Sequence, residues 1–389
     1  MLDGVNVALG VTGSIAAVKT VELAHELRRQ GASVRALMTD SARGIIHPWA
    51  LEYATERDVV TEITGRVEHV DLCGREGWAD VLLIAPATAN TVGKIAGAVD
   101  DTPVTTAATT ALGADVPIVI APAMHEPMYD HPGVLDAIDR VESWGVEFVD
   151  PRIEERKAKI ATEAAIVTAV ARATTPDSLA DTSIVITSGA TSETIDPIRV
   201  LTNRASGATG EAIARACHIR GADVTLVHDG PDVHYAEVIE TESAAEMLAA
   251  VDTASNDADA LVSAAAIADY TVQEASAKLR SGEARTLELE PTPKLLDSVR
   301  QAHPELPMVG FKAETTSDDK SLFEAATALR DRVDLSFVVA NDATVMGEAE
   351  TRAILVDREA GSVNDCEVVE GSKVYLGDRI ADRLVTELD

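Results

Sequence analysis

Three stretches in the first third of the chain place small, hydroxyl and amide residues where backbone and side chain could hold an anion or a flat polar ring. They are Gly10-Val11-Thr12-Gly13-Ser14-Ile15-Ala16-Ala17, Pro86-Ala87-Thr88-Ala89-Asn90-Thr91 and Pro122-Ala123-Met124-His125-Glu126-Pro127-Met128-Tyr129. Glycine permits a tight turn, and a helix opening behind it offers N–H groups and a positive dipole end to a phosphate. The first stretch is not G-x-G-x-x-G, so a dinucleotide fingerprint is weak. Gly, Ser, Thr and Asn also serve as plain helix caps. Two Pro and two Met within eight residues are unusual for a simple connector. His69 stands in Val67-Glu68-His69-Val70-Asp71-Leu72, ahead of Trp78-Ala79-Asp80. An imidazole can move protons near neutral pH, although in an apolar/polar alternation a His is more often structural.

The second half repeats the chemistry with other residues. Ser188-Gly189-Ala190-Thr191-Ser192-Glu193-Thr194-Ile195-Asp196-Pro197-Ile198-Arg199 is followed by Leu201-Thr202-Asn203-Arg204-Ala205-Ser206-Gly207-Ala208-Thr209-Gly210. These small residues with N–H groups suit a phosphate, or ordinary turns.

The elements that must position these residues alternate along the chain. Val5–Val11, Ser33–Met38, Val81–Ala85 and Pro117–Ala121 read as strands, and Ile15–Arg29 as a helix ended by Gly31. After Thr174-Thr175-Pro176-Asp177-Ser178, a linker by composition, the pattern restarts. Ser183–Thr187, Asp223–Val227, Ala260–Ser263, Pro307–Phe311 and Leu335–Ala340 read as strands, and Gly207–Arg220 as a helix. Short apolar strands separated by amphipathic helices predict a parallel sheet covered on both faces. The expected fold is α/β, with two Rossmann-like domains at 1–175 and 181–389, each a mainly parallel sheet flanked by helices. Ligands of such sheets bind beyond the carboxyl ends of the strands, where the motifs lie.

The 389 residues carry 33 Lys and Arg against 65 Asp and Glu, a formal charge of −32, with 46% apolar residues. That composition argues against disorder. A surface this acidic repels nucleic acid and anionic membranes, so neither is an expected partner. No apolar run reaches the roughly 18 residues of a membrane span. Asp3 is the first charge, so the start does not read as a signal peptide. The three Cys (Cys73, Cys217, Cys366) form neither a disulfide framework nor a zinc ribbon. The expectation is a cytoplasmic, reducing setting. Acidity is spread through the chain and Lys is scarce, 9 against 24 Arg. This pattern resembles proteins of halophilic archaea, with an ordinary acidic mesophile protein as the rival. The first reading predicts loss of structure in low salt, where self-repulsion is unscreened. Circular dichroism during dialysis from molar KCl checks it, and an unchanged melting midpoint would refute it.

The three loops of the first half, taken in order and spacing, resemble the homo-oligomeric flavin-containing cysteine decarboxylases. Gly13–Ala16, Pro86–Asn90 and Pro122–Met128 match their Gly-Ser-Ile/Val-Ala, Pro-x-Ser/Thr-Ala-Asn and Pro-Ala-Met-Asn-x-x-Met motifs, and His69 matches their His. The resemblance implies FMN held by Gly13, Ser14, Ala16, Thr39, Thr88, Asn90 and Met124, with His69 and His125 catalytic. The implied chemistry oxidises the CH2–S⁻ of a terminal cysteine to a thioaldehyde, releases CO2, and returns the electrons to the enethiol. Two departures stand out. His125 replaces the family Asn that holds the substrate carboxylate. No Cys occurs in Asp150–Ile160, where many bacterial relatives carry the proton-donating flap Cys. The basic cluster Arg152, Arg156, Lys157, Lys159 there reads either as a solvated loop or as a lid over a phosphorylated substrate.

The second half resembles the phosphopantothenate–cysteine ligases. The two loops above, Ala264–Tyr270, Ala277-Lys278-Leu279, Gly310–Thr315 and Ala340-Asn341-Asp342 match their motifs in order. The resemblance implies that Asn203 and Lys278 are catalytic, and that Ala266, Asp269, Lys278, Lys294, Phe311, Lys312 and Asn341 bind substrate or nucleotide. Mg²⁺ and CTP, or ATP, are the implied co-reactants; no metal-ligating residue is assigned. The order of the halves is that of the bifunctional enzymes of coenzyme A biosynthesis. Such enzymes imply a homo-oligomer, with trimer contacts through the first domain and dimer contacts through the second, combining in a dodecamer. Rival readings are a two-domain NAD(P)-binding reductase and a non-catalytic regulatory flavoprotein.

Overall fold

The computed structural model describes residues 1–154, 157–282, 284–315, 318–342 and 350–388. Two units, Met1–Thr175 and Pro176–Asp389, each enclose their own core.

The first unit is built on strands β1 (Asn6–Val11), β2 (Ser33–Met38), β3 (Val81–Ala87), β4 (Ile118–Pro122) and the short β5 (Met124–His125), β6 (Glu147–Phe148), β7 (Arg152–Glu154) and β8 (Lys157–Lys159). Among the described residues, a five-stranded parallel sheet runs in the order β2-β1-β3-β4-β6. Every residue of β3 and β4 is buried. This is why these strands read as unbroken apolar runs: helices cover both sheet faces. β2 and β3 flank β1 on opposite sides, so the chain reverses its winding at the β1/β3 junction and leaves a crevice at their carboxyl ends. Thr12 closes that junction. Its hydroxyl donates to the Pro86 carbonyl at 2.7 Å and accepts from the Thr88 N–H at 3.2 Å.

The helix expected over Ile15–Arg29 is two elements. A 3₁₀ turn spans Ile15–Lys19, and the α-helix begins at Thr20 and ends at Arg29. The Ser14 hydroxyl accepts from the Ala16 N–H. The Thr20 N–H and hydroxyl both donate to the Ala17 carbonyl, which a continuous α-helix would give to residue 21.

The second unit contains β9 (Ser183–Thr187), β10 (Ser192–Asp196), β11 (Arg199–Thr202), β12 (Asp223–His228), β13 (Glu237–Glu240), β14 (Ala260–Ser263), β15 (Tyr270–Val272), β16 (Leu289–Pro291), β17 (Met308–Glu314), β18 (Phe337–Asp342), β19 (Glu350–Asp357) and β20 (Glu367–Ser372). Among the described residues, an eight-stranded sheet runs β13-β12-β9-β14-β17-β18-β19-β20. It is parallel from β13 to β18, and β19 and β20 add antiparallel. The sheet is therefore mainly parallel, with an antiparallel edge that the sequence reading left out. Here too β12 and β14 flank β9, so the β9/β14 junction opens a second crevice. β10 and β11 form a hairpin where turns alone were expected. The helix Ala208–Ile219 is capped by Gly207 at φ 79°, a left-handed conformation that favours glycine. No helix among the described residues is long and apolar enough to cross a membrane.

Candidate active sites

A cavity of about 550 Å³ opens at the carboxyl ends of β1, β3 and β4. Of the residues expected to hold a cofactor there, it is lined by Gly13, Ser14, Ala16, Thr88 and Met124, and His125 joins them. Gly13 is where it is for steric reasons: a Cβ there would lie 2.4 Å from the Ser41 Cβ, so only glycine lets the loop after β1 close on the residues after β2. Thr88 caps the helix Ala89–Ala96 by accepting from the Thr91 N–H at 3.2 Å.

Three expected residues lie off this lining. Thr39 is buried and caps the short helix Asp40–Arg43, its hydroxyl accepting from the Ala42 N–H. Asn90 is exposed in the first turn after Thr88. His69 lies in the helix Glu68–Cys73, with its Nδ1 buried and unpartnered. Val67, just before that helix, and Val70 within it are exposed, and the cavity mouth exposes Ile15 and Val18, Ile15 at 76%.

β7 and β8 form a hairpin that adds β5 as a third strand, with Met124 opposite Ala158 and His125 opposite Lys157. Arg152, Ala158, Lys159 and Ile160 thereby line the cavity. Two cations of the basic segment, Arg152 and Lys159, are thus part of the wall of this cavity rather than of a solvated loop; Arg156 and the Lys157 side chain lie outside the described residues. Lys19, which the sequence did not single out, lines it as well. Cys73 is fully buried, its thiol pushed up to about 12 by burial, and it is not on the lining. It therefore does not replace a flap Cys.

In the second unit two adjoining cavities, of about 190 and 230 Å³, share Ala265 and Phe311. The first is lined by Gly189, the segment 205–210, Ala266 and Asn341. The second is lined by Asp269, Lys294 and Lys312. Its cations are neutralised: Lys294 pairs with Asp269 at 2.6 Å, Lys312 with Glu314 at 2.9 Å, and Arg332 with Asp297. Asn203 stands at the rim of the first cavity and donates from Nδ2 to the Ala266 carbonyl at 2.9 Å. Lys278 is exposed on a loop and lies on neither lining. Lys373 and Thr351 line the first cavity although no sequence motif marked them.

The fold defines a two-unit α/β protein with cavities at the carboxyl ends of its parallel strands in each unit. The flavoprotein family profile matches residues 1–175, and that of the DNA/pantothenate metabolism flavoprotein C-terminal domain matches residues 179–388. The chain is 48% identical over 364 residues to the coenzyme A biosynthesis bifunctional protein CoaBC of Thermococcus kodakarensis, covering 92% of this chain and 90% of that one. It is 33% identical to the protein of that name from Methanocaldococcus jannaschii, over 99% and 94% of the two chains. Among solved structures, the C-terminal domain of a CoaBC protein aligns at 28% identity and a TM-score of 0.45, over 55% of this chain and 98% of that one. The chain belongs to the family of coenzyme A biosynthesis bifunctional proteins CoaBC.

Proposed function

We propose that this chain carries out two consecutive steps of coenzyme A biosynthesis. The second unit joins 4′-phosphopantothenate to cysteine at the expense of a nucleoside triphosphate, and the first decarboxylates the product, 4′-phosphopantothenoylcysteine, to 4′-phosphopantetheine. The observation that carries the reading is family membership along the whole chain, with a cavity at the winding reversal of each sheet.

The first cavity fits FMN. Gly13 lets the loop after β1 pack against Ser41 and so sets the shape of the wall, and the lining offers apolar wall from Ile15, Val18, Met124 and Met128 together with hydroxyls from Ser14 and Thr88. FMN held there supplies a two-electron oxidant for the substrate's CH2–S⁻ carbon and then the reductant for the enethiol. The protein's own residues do the rest. Ser14 and Thr88 hold polar edges. His125, exposed toward the cavity, donates to the substrate carboxylate in the place of an amide. Arg152 and Lys159 offset the substrate phosphate, and Lys159 or a water returns the final proton. His69 removes a proton from the substrate end. The exposed Ile15, Val18, Val67 and Val70 are the surface against which a second copy completes this site.

In the second unit an amine cannot displace oxygen from a carboxylate directly, so the carboxylate first attacks the α-phosphorus of the triphosphate, which enters with Mg²⁺, and releases pyrophosphate; the cysteine amine then attacks the acyl-nucleotide and the nucleoside monophosphate leaves. Phe311 and Asp269 hold the nucleoside, Lys278 and Lys312 offset phosphate charge, and Asn203 contacts the acyl-nucleotide. CTP is the first choice of nucleotide and ATP the second.

The test is incubation with phosphopantothenate, cysteine, Mg²⁺ and CTP or ATP in high salt, following product masses. The masses of conjugate and phosphopantetheine are expected in turn. A colourless protein that cannot retain added FMN refutes the first half, and absent pyrophosphate refutes the second. Gly13→Val should leave the second unit's pyrophosphate release intact and abolish flavin retention, read as loss of the yellow colour. A Gly13→Val protein as yellow as the wild type would show that the loop does not hold the cofactor.

A further inference from the structure

Within the ligase reading, which this inference presupposes, the phosphate-sized cavity of the second unit contains one cation with no assigned duty. Lys373 is half-buried, lines the cavity, and its ammonium has no partner among the described residues. The three cations of the adjoining cavity, by contrast, are each neutralised by a carboxylate, in a chain of charge −32. Burying part of an ammonium without a counter-charge costs free energy, so such a site calls for an anion.

The packing fixes where that ammonium stands. Lys373 opens the helix Lys373–Leu388, behind Ser372, whose hydroxyl accepts from the Tyr375 N–H at 3.1 Å. One turn on, Gly377 touches the helix Ala208–Ile219 so closely that a Cβ would lie 2.8 Å from the Ala212 carbonyl carbon and oxygen. Further along, Arg220 donates to Asp382 at 2.7 Å and to Asp378 at 3.4 Å. Contacts that advance together along both helices mean that the two run parallel. Lys373, one turn before Gly377, therefore stands beside Gly207 and Ala208, about one turn before Ala212. The ammonium and the first turn of Ala208–Ile219 face one space.

We infer that Lys373 is a substrate-binding residue of the ligase reaction, contacting a phosphoryl anion in the cavity with Gly207–Gly210. Two phosphorylated reactants could supply that anion, the nucleoside triphosphate or 4′-phosphopantothenate, and the kinetics distinguish them.

The experiment measures pyrophosphate release by the full-length chain in high salt for wild type, Lys373→Gln and Lys373→Arg, varying each reactant in turn, with the thermal midpoint as a folding check. Lys373→Gln is expected to raise the KM of one phosphorylated reactant about 10- to 100-fold, the weight of a lost charge-assisted contact. The KM of cysteine should stay within about twofold, and Lys373→Arg should recover most of the loss. If 4′-phosphopantothenate is the partner, unphosphorylated pantothenate is used equally poorly by both proteins; if the nucleotide is, its own KM moves. Unchanged KM values for both phosphorylated reactants overturn the inference. So does a uniform fall in kcat that Arg does not restore. A wild type silent with CTP and ATP would sink the ligase reading itself. The contact is then judged by titration with inorganic pyrophosphate, whose Kd must rise in Lys373→Gln for the inference to stand.

Discussion

The His69→Asn protein is expected to make 4′-phosphopantothenoylcysteine and stop there. Conjugate accumulates, pyrophosphate is released at the wild-type rate, and CO2 release falls by about 10²- to 10⁴-fold, the usual weight of a positioned acid–base group. The argument begins with the imidazole's surroundings. Nδ1 is buried with no hydrogen-bond partner, and an orphaned buried polar atom in a folded protein calls for a reason. His69 is also off the lining of the cavity in a single chain. Both facts fit a residue whose partner arrives with the substrate or with a second copy. The apolar Val67 and Val70 beside it are exposed on the same short segment, as the second copy proposed above requires. Asparagine is smaller but keeps a polar N–H and C=O near the place of the ring and cannot exchange a proton as an imidazole does, and His69 is off the cavity lining, so flavin retention should be unchanged. Wild-type CO2 release from His69→Asn would remove the residue from the mechanism.

The sequence made the first unit's β1 and β3 loops readable because glycine, proline and hydroxyl residues there do double duty, closing the Thr12–Pro86–Thr88 junction and facing the cavity. The parallel strands were readable for the same kind of reason: burial on both faces leaves an unbroken apolar run. What escaped was one-sided or exposed. β10 and β11 are largely polar outside their register, and Pro197 between them reads as a loop. β20 alternates around a single buried Val369. Thr39 matched a cofactor position by resemblance; it lies off the cavity lining, and its hydroxyl accepts the Ala42 N–H of a helix cap. Lys373 had no signal beyond a serine before an amphipathic helix; its meaning comes from Gly377 and Arg220, which act only once both helices are placed. Lys278 was legible as a motif but not as a position, since an exposed loop leaves no periodicity to read.

That loop is held by a residue far away in the chain. The Asp196 carboxylate, its side chain wholly buried, accepts from the N–H groups of Ile198 at 2.9 Å and Arg199 at 3.0 Å, and across the fold from the Leu279 N–H at 3.0 Å. The Arg199 guanidinium donates to Asp196 and, at 3.0 Å, to the Leu279 carbonyl. Leu279 is clamped on both its polar groups, and Lys278 is the residue just before it. Burial alone would raise the carboxyl's pKa; the backbone donors from Leu279, Ile198 and Arg199, with the guanidinium, outweigh it and hold it below the ordinary range. In Asp196→Asn the amide nitrogen must face at least one of those N–H groups, leaving a part-buried donor without its acceptor. The clamp then opens, and Lys278 loses its place before the rest of the fold is affected. Pyrophosphate release should fall about as far as in Lys278→Gln, while decarboxylation of supplied phosphopantothenoylcysteine continues. The sign of the pH effect follows from the lowered pKa. The clamp's contribution is full above the ordinary carboxylate value and is lost as pH falls through the depressed one. The wild type's advantage in melting midpoint over Asp196→Asn should therefore shrink toward acid. An Asp196→Asn protein that releases pyrophosphate within about twofold of wild type, alongside an inactive Lys278→Gln, would mean that the loop needs no clamp to present its lysine.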